Sequence, residues 1–270
     1  MKDDLGDRMK HYETTWAGLR AYGELPMIAR LDGRKFSKFS EGFKKPFDDR
    51  LTAAMNQATR ELLKETYANI AYTQSDEITL IWDAVSGESQ RFFDGRLQKL
   101  CSVLAGKCTI EFNWALMETL PVGSIQRSKL QVSKPHFDCR VWLVPDQGEA
   151  ANTLLWRSQD ARRNGISVFC QQHVSHNGLH GLNQEQMLEA AYANGAPDIN
   201  LACKTGELFG RYFQRGTERR QMSDQEYNDI PVGSRPPRDM QYARSVVKQL
   251  DIAYFGDVGD QEARIDVIFK

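Results

Sequence analysis

No stretch of this 270-residue chain approaches the ~20 consecutive apolar residues that a membrane-crossing helix requires. The first thirty residues, opening Met1-Lys2-Asp3-Asp4, hold no apolar segment suited to a secretory signal. Cysteine is scarce: Cys101, Cys108, Cys139, Cys170 and Cys203 are odd in number and show no CxxC spacing, which points to free thiols packed as small apolar groups in a reducing compartment. An excess of either charge is also lacking. With 35 basic against 36 acidic residues the net charge is -1, so the total does not demand a polyanionic partner and any basic surface has to be local. There is no internal repeat, no low-complexity tract and no flexible linker. Together these absences predict a soluble, cytoplasmic protein with no membrane partner.

What is present suffices for a sizeable core, because 41% of the residues are hydrophobic. The length suggests one large domain, or a core domain with an extension. Residues 3–22 carry Leu5, Met9, Tyr12, Trp16 and Leu19 at spacings of three and four, the pattern of an amphipathic helix that Pro26 ends. A strand over 27–31 then runs into Asp32, and 34–50, with Gly42 and Pro46, reads mostly as loop. Leu51, Met55, Ala58, Leu62 and Leu63 predict a helix behind Asp48 and Asp49. Two strands follow at 70–73 and 78–82, then a helix over 92–106 with Phe93, Leu97, Leu100, Val103 and Leu104 as its stripe, and a strand over 139–144 stopped by Pro145. The order strand–helix–strand–strand–helix–strand is the split arrangement of a ferredoxin-like sheet, and it sets the first strand beside the hairpin. Beyond 150 the pattern turns helical, at 150–176 and 183–194, while the tail from 216 is polar and loop-like before a short helix near 238–250. The expected class is α+β: a domain over 1–150 and a helical part over 151–270 packed on it.

Two segments bear chemistry: Arg30-Leu31-Asp32-Gly33-Arg34-Lys35-Phe36 and Gln74-Ser75-Asp76-Glu77, each with an acidic group at the end of an apolar run. Either alone reads first as an ordinary surface turn or hairpin cap. As a pair on neighbouring strands, Asp32 and Asp76 can share divalent cations, which for magnesium means one or two carboxylates with carbonyls, waters and phosphates completing the shell. A pair of ions ~3.5–4 Å apart would stabilise both oxygens of an in-line displacement. Gly33 allows a sharp turn that points the amides of 33–37 at a triphosphate. Lys35, Lys38, Lys44 and Lys45 are available to neutralise its charge, Ser75 offers a hydroxyl, and Glu77 can assist from behind.

These residues resemble the tRNA-histidine guanylyltransferase superfamily, enzymes that extend RNA in the 3′-to-5′ direction. The resemblance continues through Phe93-Asp94-Gly95-Arg96, Lys99-Leu100, Phe137-Asp138-Cys139-Arg140-Val141, Trp156-Arg157-Ser158-Gln159-Asp160 and Phe213-Gln214-Arg215-Gly216-Thr217, over roughly 5–220. It implies a ferredoxin-like polymerase/cyclase palm with a helical C-terminal extension. It also implies two Mg2+ ions on Asp32, the Gly33 carbonyl and Asp76, with Asp32, Asp76 and Glu77 as the catalytic carboxylates. The triphosphate would lie on Asp32, Gly33, Arg34, Lys35, Phe36, Ser37, Lys44, Ser75 and Asp76. Arg96, Lys99, Arg157, Asp160, Arg162, Asn164 and Arg215 would meet the RNA or its 5′ end. ATP would activate a 5′-monophosphate, GTP would be the preferred nucleotide, the RNA partner would be tRNA or tRNA-like, and the assembly a homotetramer. One departure is visible: Arg162-Arg163-Asn164-Gly165 stands where eukaryotic members carry His-Ile-Asn-Asn. That likeness is to the guanylyltransferase-like branch associated with tRNA 5′-end repair, and it puts strict dependence on the histidine tRNA in doubt. A nucleotidyl cyclase or oligonucleotide synthetase on the same palm is the enzymatic alternative, and a non-catalytic tRNA-binding protein is the other.

Outside these motifs, His173, His176 and His180 would share a side of a continuous helix, but Asn177-Gly178 breaks it, so a polar or RNA-contacting surface is expected rather than zinc. Arg211, Arg215, Arg219 and Arg220 around Tyr212 and Phe213 suit phosphate contact and base stacking. Trp156 is expected in the core.

Overall fold

The computed structural model of the chain describes residues 4–85 and 90–270. Six strands form one sheet: β1 (Met27–Gly33), β2 (Ile70–Gln74), β3 (Glu77–Trp82), β4 (Phe137–Leu143), β5 (Arg211–Gln221) and β6 (Gln241–Gln249), in the spatial order β4-β1-β3-β2-β5-β6 with antiparallel pairing at every step. The central strands read as continuous apolar runs because both faces are covered, with successive side chains entering opposite layers. Met27, Ala29, Leu31, Ala71, Ile78, Leu80 and Phe213 enter one core, while Ile28, Ile70, Tyr72, Ile81 and Tyr212 enter the other.

The longer helices are α1 (Asp4–Ala17), α2 (Asp49–Thr66), α3 (Leu97–Thr119), α4 (Ile125–Ser133), α5 (Gln147–Cys170), α6 (Gln184–Ala193) and α7 (Gln261–Phe269). Helices α2 and α3 cover the first face. Asp48 starts α2 by accepting from the Arg50 amide, Ala54, Met55, Ala58, Leu62 and Leu63 bury its stripe, and Tyr67 stops it in the left-handed region at φ 57. Helix α5 crosses the second face with α7 beside it, burying Ala150, Ala151, Leu154 and Ala161 in the second core and Ser158 alongside them.

Several expectations are corrected. The helix expected over 92–106 is α3, shifted to Leu97–Thr119, with a tight turn over Phe92–Gly95 before it. The helix expected over 150–176 ends at Cys170. The tail is not loop followed by helix: the residues expected as a helix near 238–250 form β6, paired with β5 along Phe213 to Gln221. That ribbon is mostly exposed, so its stability rests on backbone pairing, and it lacks the apolar alternation that marks a half-buried strand. Helix α1 forms but is shorter than the 3–22 expected, ending at Ala17 well before Pro26 and leaving Leu19 outside it, and Leu5, Met9 and Tyr12 stay exposed; residue 3 and the Trp16 side chain lie outside the described residues. The segment 34–50 is mostly loop as expected, save a short helical turn at Phe36–Phe39 and its last two residues, Asp49 and Arg50, which open α2.

Candidate functional site

The two acidic segments meet. In the ladder Asp32 stands opposite Glu77, and the Gly33 amide donates to the Asp76 carbonyl at 3.1 Å. Ser75 takes the left-handed conformation (φ 54) that tightens the β2–β3 hairpin, and its hydroxyl donates to Asp76 Oδ1 at 3.0 Å. A Cβ on residue 33 would lie 2.9 Å from Asp76 Oδ2 and 2.6 Å from the Phe36 ring, so glycine is required here for close approach of backbone to carboxylate. Burial pushes the Asp76 carboxyl up to about 6; its bonds from Ser75 and its own amide oppose this, and the charges of Asp32 and Glu77 add to it. A group of oxygen ligands that repel one another at neutral pH is the donor chemistry a hard cation relieves. Among the described residues no cluster of three or more His, Cys, Asp and Glu could hold a metal, so any cation here would rest on two carboxylates and complete its shell from carbonyl, water or phosphate.

A cavity of about 660 Å3 opens on this corner, lined by Gly33, Lys35, Phe36, Ser37, Lys44, Ser75, Asp76 and Glu77, all of them sequence candidates. Its far wall comes from α5 through Asn164, Gly165 and Ser167 and from Gln171, which caps that helix. The Phe36 ring is buried against Phe39, Phe112 and Phe137 at 5.3–6.0 Å between centroids, so it supports the loop from beneath. The Lys44 amide donates to Asp48 Oδ2 at 2.9 Å. Burial alone would raise the Asp48 carboxyl, but hydrogen bonds from the Arg50 side chain and the Lys44 and Arg50 amides outweigh it and hold it at about 2. The exposed ammonium groups of Lys35, Lys44 and Lys45 make no ion pair among the described residues. Asp32, one-third exposed, has Arg140 Nη2 at 3.9 Å.

Other candidates stand elsewhere. Both oxygens of Glu77 are engaged, Oε1 by Arg30 Nη2 at 2.5 Å and Oε2 by Arg157 Nη2. Arg157 is buried, also pairs with Asp160 at 3.0 Å, and leaves its Nε without a partner, so it ties α5 to the hairpin rather than facing a ligand. Asp160 in turn holds Arg163 at 2.9 Å. The exposed Arg162 lies over the Phe209 ring at 5.6 Å, and Asn164 alone of this group lines the cavity. Arg34 and Lys38 turn to a separate cleft. Arg96, Lys99 and Arg215 lie at the opposite, Met27, end of the sheet: Lys99 over Phe93 at 4.6 Å and Arg215 over Tyr67 at 4.3 Å. Six residues of β1 at ~3.3 Å each separate that end from Gly33 by roughly 20 Å. Tyr212 and Phe213 are core residues and cannot stack on bases, whereas Trp156 is half-exposed beside the Arg157 guanidinium, not in the core. The His173, His176 and His180 run does not share one helix, but not because of Asn177-Gly178: α5 ends at Cys170, before all three, and Asn177 and Gly178 lie inside a short helical turn over His176–Leu179. The Arg30–Glu77–Arg157 clamp was missed, though its signal was present: Arg30 lies two residues before Asp32 and therefore on the face where Asp32 meets Glu77.

Comparison with known proteins decides the family. The family described as Thg1, tRNAHis guanylyltransferase, matches residues 6–145. This chain belongs to the Thg1 family. It is 30% identical over 209 residues to "Uncharacterized protein R259" of Acanthamoeba polyphaga mimivirus, covering 72% of this chain and 71% of that one. It is 31% identical over 152 residues to the tRNA(His) guanylyltransferase of Schizosaccharomyces pombe, covering 54% of this chain and 53% of that enzyme, so the chain spans about half the length of that relative. A bacterial tRNA(His) guanylyltransferase-like protein solved in complex with ATP superposes with a TM-score of 0.70 at 30% identity over 78% of this chain and 88% of that one. A second such bacterial structure, in complex with GTP, has a TM-score of 0.71 at 24% identity over 99% and 100% of the two chains and shows the shared fold. Family membership supports an enzyme, and nucleotidyl transfer to tRNA is consistent with it. Among the described residues no helix is long and apolar enough to cross a membrane.

Proposed function

We propose that this protein is a Mg2+-dependent 3′-to-5′ nucleotidyltransferase that adds nucleotides to the 5′ end of tRNA or a tRNA-like RNA. The observation that carries this reading is the backbone of Gly33 set against the Asp76 carboxylate at the mouth of a cavity fringed by lysines that make no ion pair among the described residues. The strand order β4-β1-β3-β2 supports reading the sheet as a ferredoxin-like palm, and in this reading residues 1–150 form the catalytic unit while 151–270 pack on it and orient the RNA.

Asp32 and Asp76, with the Gly33 carbonyl, would hold the two Mg2+ ions, and the ions would supply Lewis-acid stabilisation of phosphoryl oxygens. The chain's own groups do the rest. The loop of 33–37 offers backbone amides to a triphosphate, and Lys35, Lys44 and Lys45 offset its charge without first having to break a protein ion pair. Asn164, Ser167 and Gln171 give neutral donors and acceptors on the facing wall. Glu77 acts through the arginines that fix the hairpin, and so holds Asp76 in place. The 3′-hydroxyl of the incoming nucleotide, GTP by preference, attacks the 5′ phosphate of the RNA. Either AMP, after activation by ATP, or pyrophosphate, from a 5′-triphosphate, departs. Relatives solved with ATP and with GTP support these substrates, and a homotetramer is the proposed assembly.

The test supplies labelled tRNA transcripts lacking one 5′ nucleotide, with ATP and each nucleoside triphosphate in turn. RNA lengthened at its 5′ end by the wild type, and not by Asp76→Ala, supports the reading. A cyclic or linked dinucleotide formed from GTP alone would replace it with a cyclase or oligonucleotide synthetase, and tight tRNA binding without product would leave a binding protein.

A further inference from the structure

On the other side of the Gly33 loop lies a second cleft, about 420 Å3, bounded by Arg34, Lys35, Lys38, Lys129 and His136, with Glu41 its one acidic wall residue. Arg34, Lys35 and Lys38 are exposed and make no ion pair among the described residues. In a chain whose net charge is -1, gathering four cations against one carboxylate is a local departure from the average. Like charges held together raise one another's energy, and an incoming anion relieves it.

The walls of this cleft are tied together rather than merely adjacent. Lys129 on α4 donates through Nζ to the carbonyls of Lys38 and Glu41, at 2.8 and 2.6 Å, and Gln126 Nε2 donates to the Gly42 carbonyl at 3.0 Å. From the β4 side the Arg34 amide donates to the His136 carbonyl at 2.9 Å. Lys35, held at φ 54, forms the ridge between the two hollows and lines both. An anion in this cleft is therefore a direct neighbour of one in the carboxylate cavity.

The lining also narrows the class of ligand. No tryptophan or tyrosine borders the cleft, and the Phe39 ring is buried, so a second nucleobase would find no aromatic platform beyond the exposed His136. Cationic heads without a stacking surface suit sugar–phosphate backbone. We infer that this cleft binds the phosphodiester backbone of the RNA strand whose 5′ end enters the carboxylate cavity. This rests on the nucleotidyl-transfer reading for the identity of the polyanion, and it gives the strand a direction across the protein: past α4 and β4, over Lys35, towards Asp76.

Lys38 is the residue to change, because its side chain is exposed and its structural contact is made through the backbone carbonyl. The probe is a tRNA transcript, bound without nucleotide or Mg2+ and followed by fluorescence anisotropy between 50 and 200 mM salt, conditions in which counterion release dominates the slope. Lys38→Gln is expected to lower the slope of log K against log salt by about 0.7–0.9, the share of one phosphate contact. Lys38→Arg should retain the slope, and Lys38→Glu should weaken binding roughly tenfold. GTP binding, measured by titration calorimetry, should be the same in all four proteins. An unchanged slope in Lys38→Gln overturns the inference, as does a wild type that binds no RNA. Weakened GTP binding with an intact RNA slope also overturns it, assigning the cleft to free nucleotide instead. If the slopes shift as expected but the wild type adds no nucleotide, the cleft stands and the proposed enzyme does not.

Discussion

At the Gly33 end of the sheet, Lys35, Lys44 and Lys45 are exposed and make no ion pair among the described residues, and the half-buried Asp76 carboxylate beside them is pushed up to about 6. At the Met27 end the same residue types are spent on the protein. Arg91 donates to the carbonyls of Tyr22, Gly23 and Leu25 at 2.9, 2.7 and 2.5 Å, Arg215 lies on Tyr67, Lys99 on Phe93, and Arg20 pairs with Asp94. The four central strands run from one end to the other, so the difference is not one of scaffold. It is a difference in whether each charge already has a partner. A charge without one is held at a cost in stability and is free to meet a ligand; a charge with one braces the fold.

The sharpest way to break this comparison is at Asp76. Asp76→Asn should lower nucleotide addition by at least about a thousandfold, equivalent to roughly 4 kcal/mol of transition-state stabilisation. Yet the metal-free variant should melt higher than the wild type. A carboxyl raised to about 6 favours its protonated form in the folded state, so stability is full below the ordinary aspartate value near 3.8 and is lost as pH rises through about 6. At pH 7.5 the asparagine variant should therefore gain on the order of 2 kcal/mol in thermal or urea unfolding, with the difference vanishing near pH 4. A variant less stable than wild type at pH 7.5 would mean that Asp76 is a structural carboxylate.

Its sequence neighbour should behave in the opposite sense. Arg157→Met strands Glu77 against a single arginine in a buried setting, and a broken buried pair costs about 3–5 kcal/mol. Urea unfolding should show that loss, and a Glu77→Gln, Arg157→Met double variant should recover part of it. Equal and additive losses would deny the clamp.

Smaller again is Asp48→Ala, which removes the α2 cap and the clasp on the Lys44 loop, for about 2 kcal/mol. Asp48 is the reverse of Asp76 in sign: its folded value is depressed to about 2, so its contribution is present above the unfolded value near 3.8 and disappears as pH falls towards 2. The stability gap between Asp48→Ala and wild type should close over that interval in acid titrations followed by circular dichroism.

The smallest effects set the two ends against each other directly. Lys44→Ala should raise KM for the nucleotide about tenfold, or roughly 1.4 kcal/mol, with little change in kcat for saturating nucleotide. Arg96→Ala, roughly 20 Å away along β1, should leave that KM within about twofold. Comparable KM changes from both would show that the Met27 end of a neighbouring protomer completes the site.

Much of this was legible because local chemistry and the hydrophobic period agreed. The apolar runs before Asp32 and after Glu77, the Asp48 cap and the spacing from Leu51 to Leu63 each specify their element without help from the rest of the chain. The β5–β6 ribbon was hidden for the opposite reason: few of its side chains beyond Phe213 enter a core, so hydrophobicity carries no signature of backbone pairing there. Trp156 and the Tyr212-Phe213 pair were misplaced because residue type does not reveal which face of α5, or which strand of a sheet, a side chain will occupy.

The sequence by itself determined the identity and spacing of the reactive corner: glycine after one aspartate, a hairpin tip bearing another, and lysines close in the chain, all of it encoded within short segments. Tertiary structure alone decided the allegiance of each charge. Glu77 was claimed by Arg30 and Arg157, Arg34 and Lys38 were turned to a second cleft, and Asp76 was left in a half-buried pocket without a cation of its own. Electrostatic energy depends on distance and on exclusion of water, and neither quantity exists until strands and helices distant in sequence have packed together.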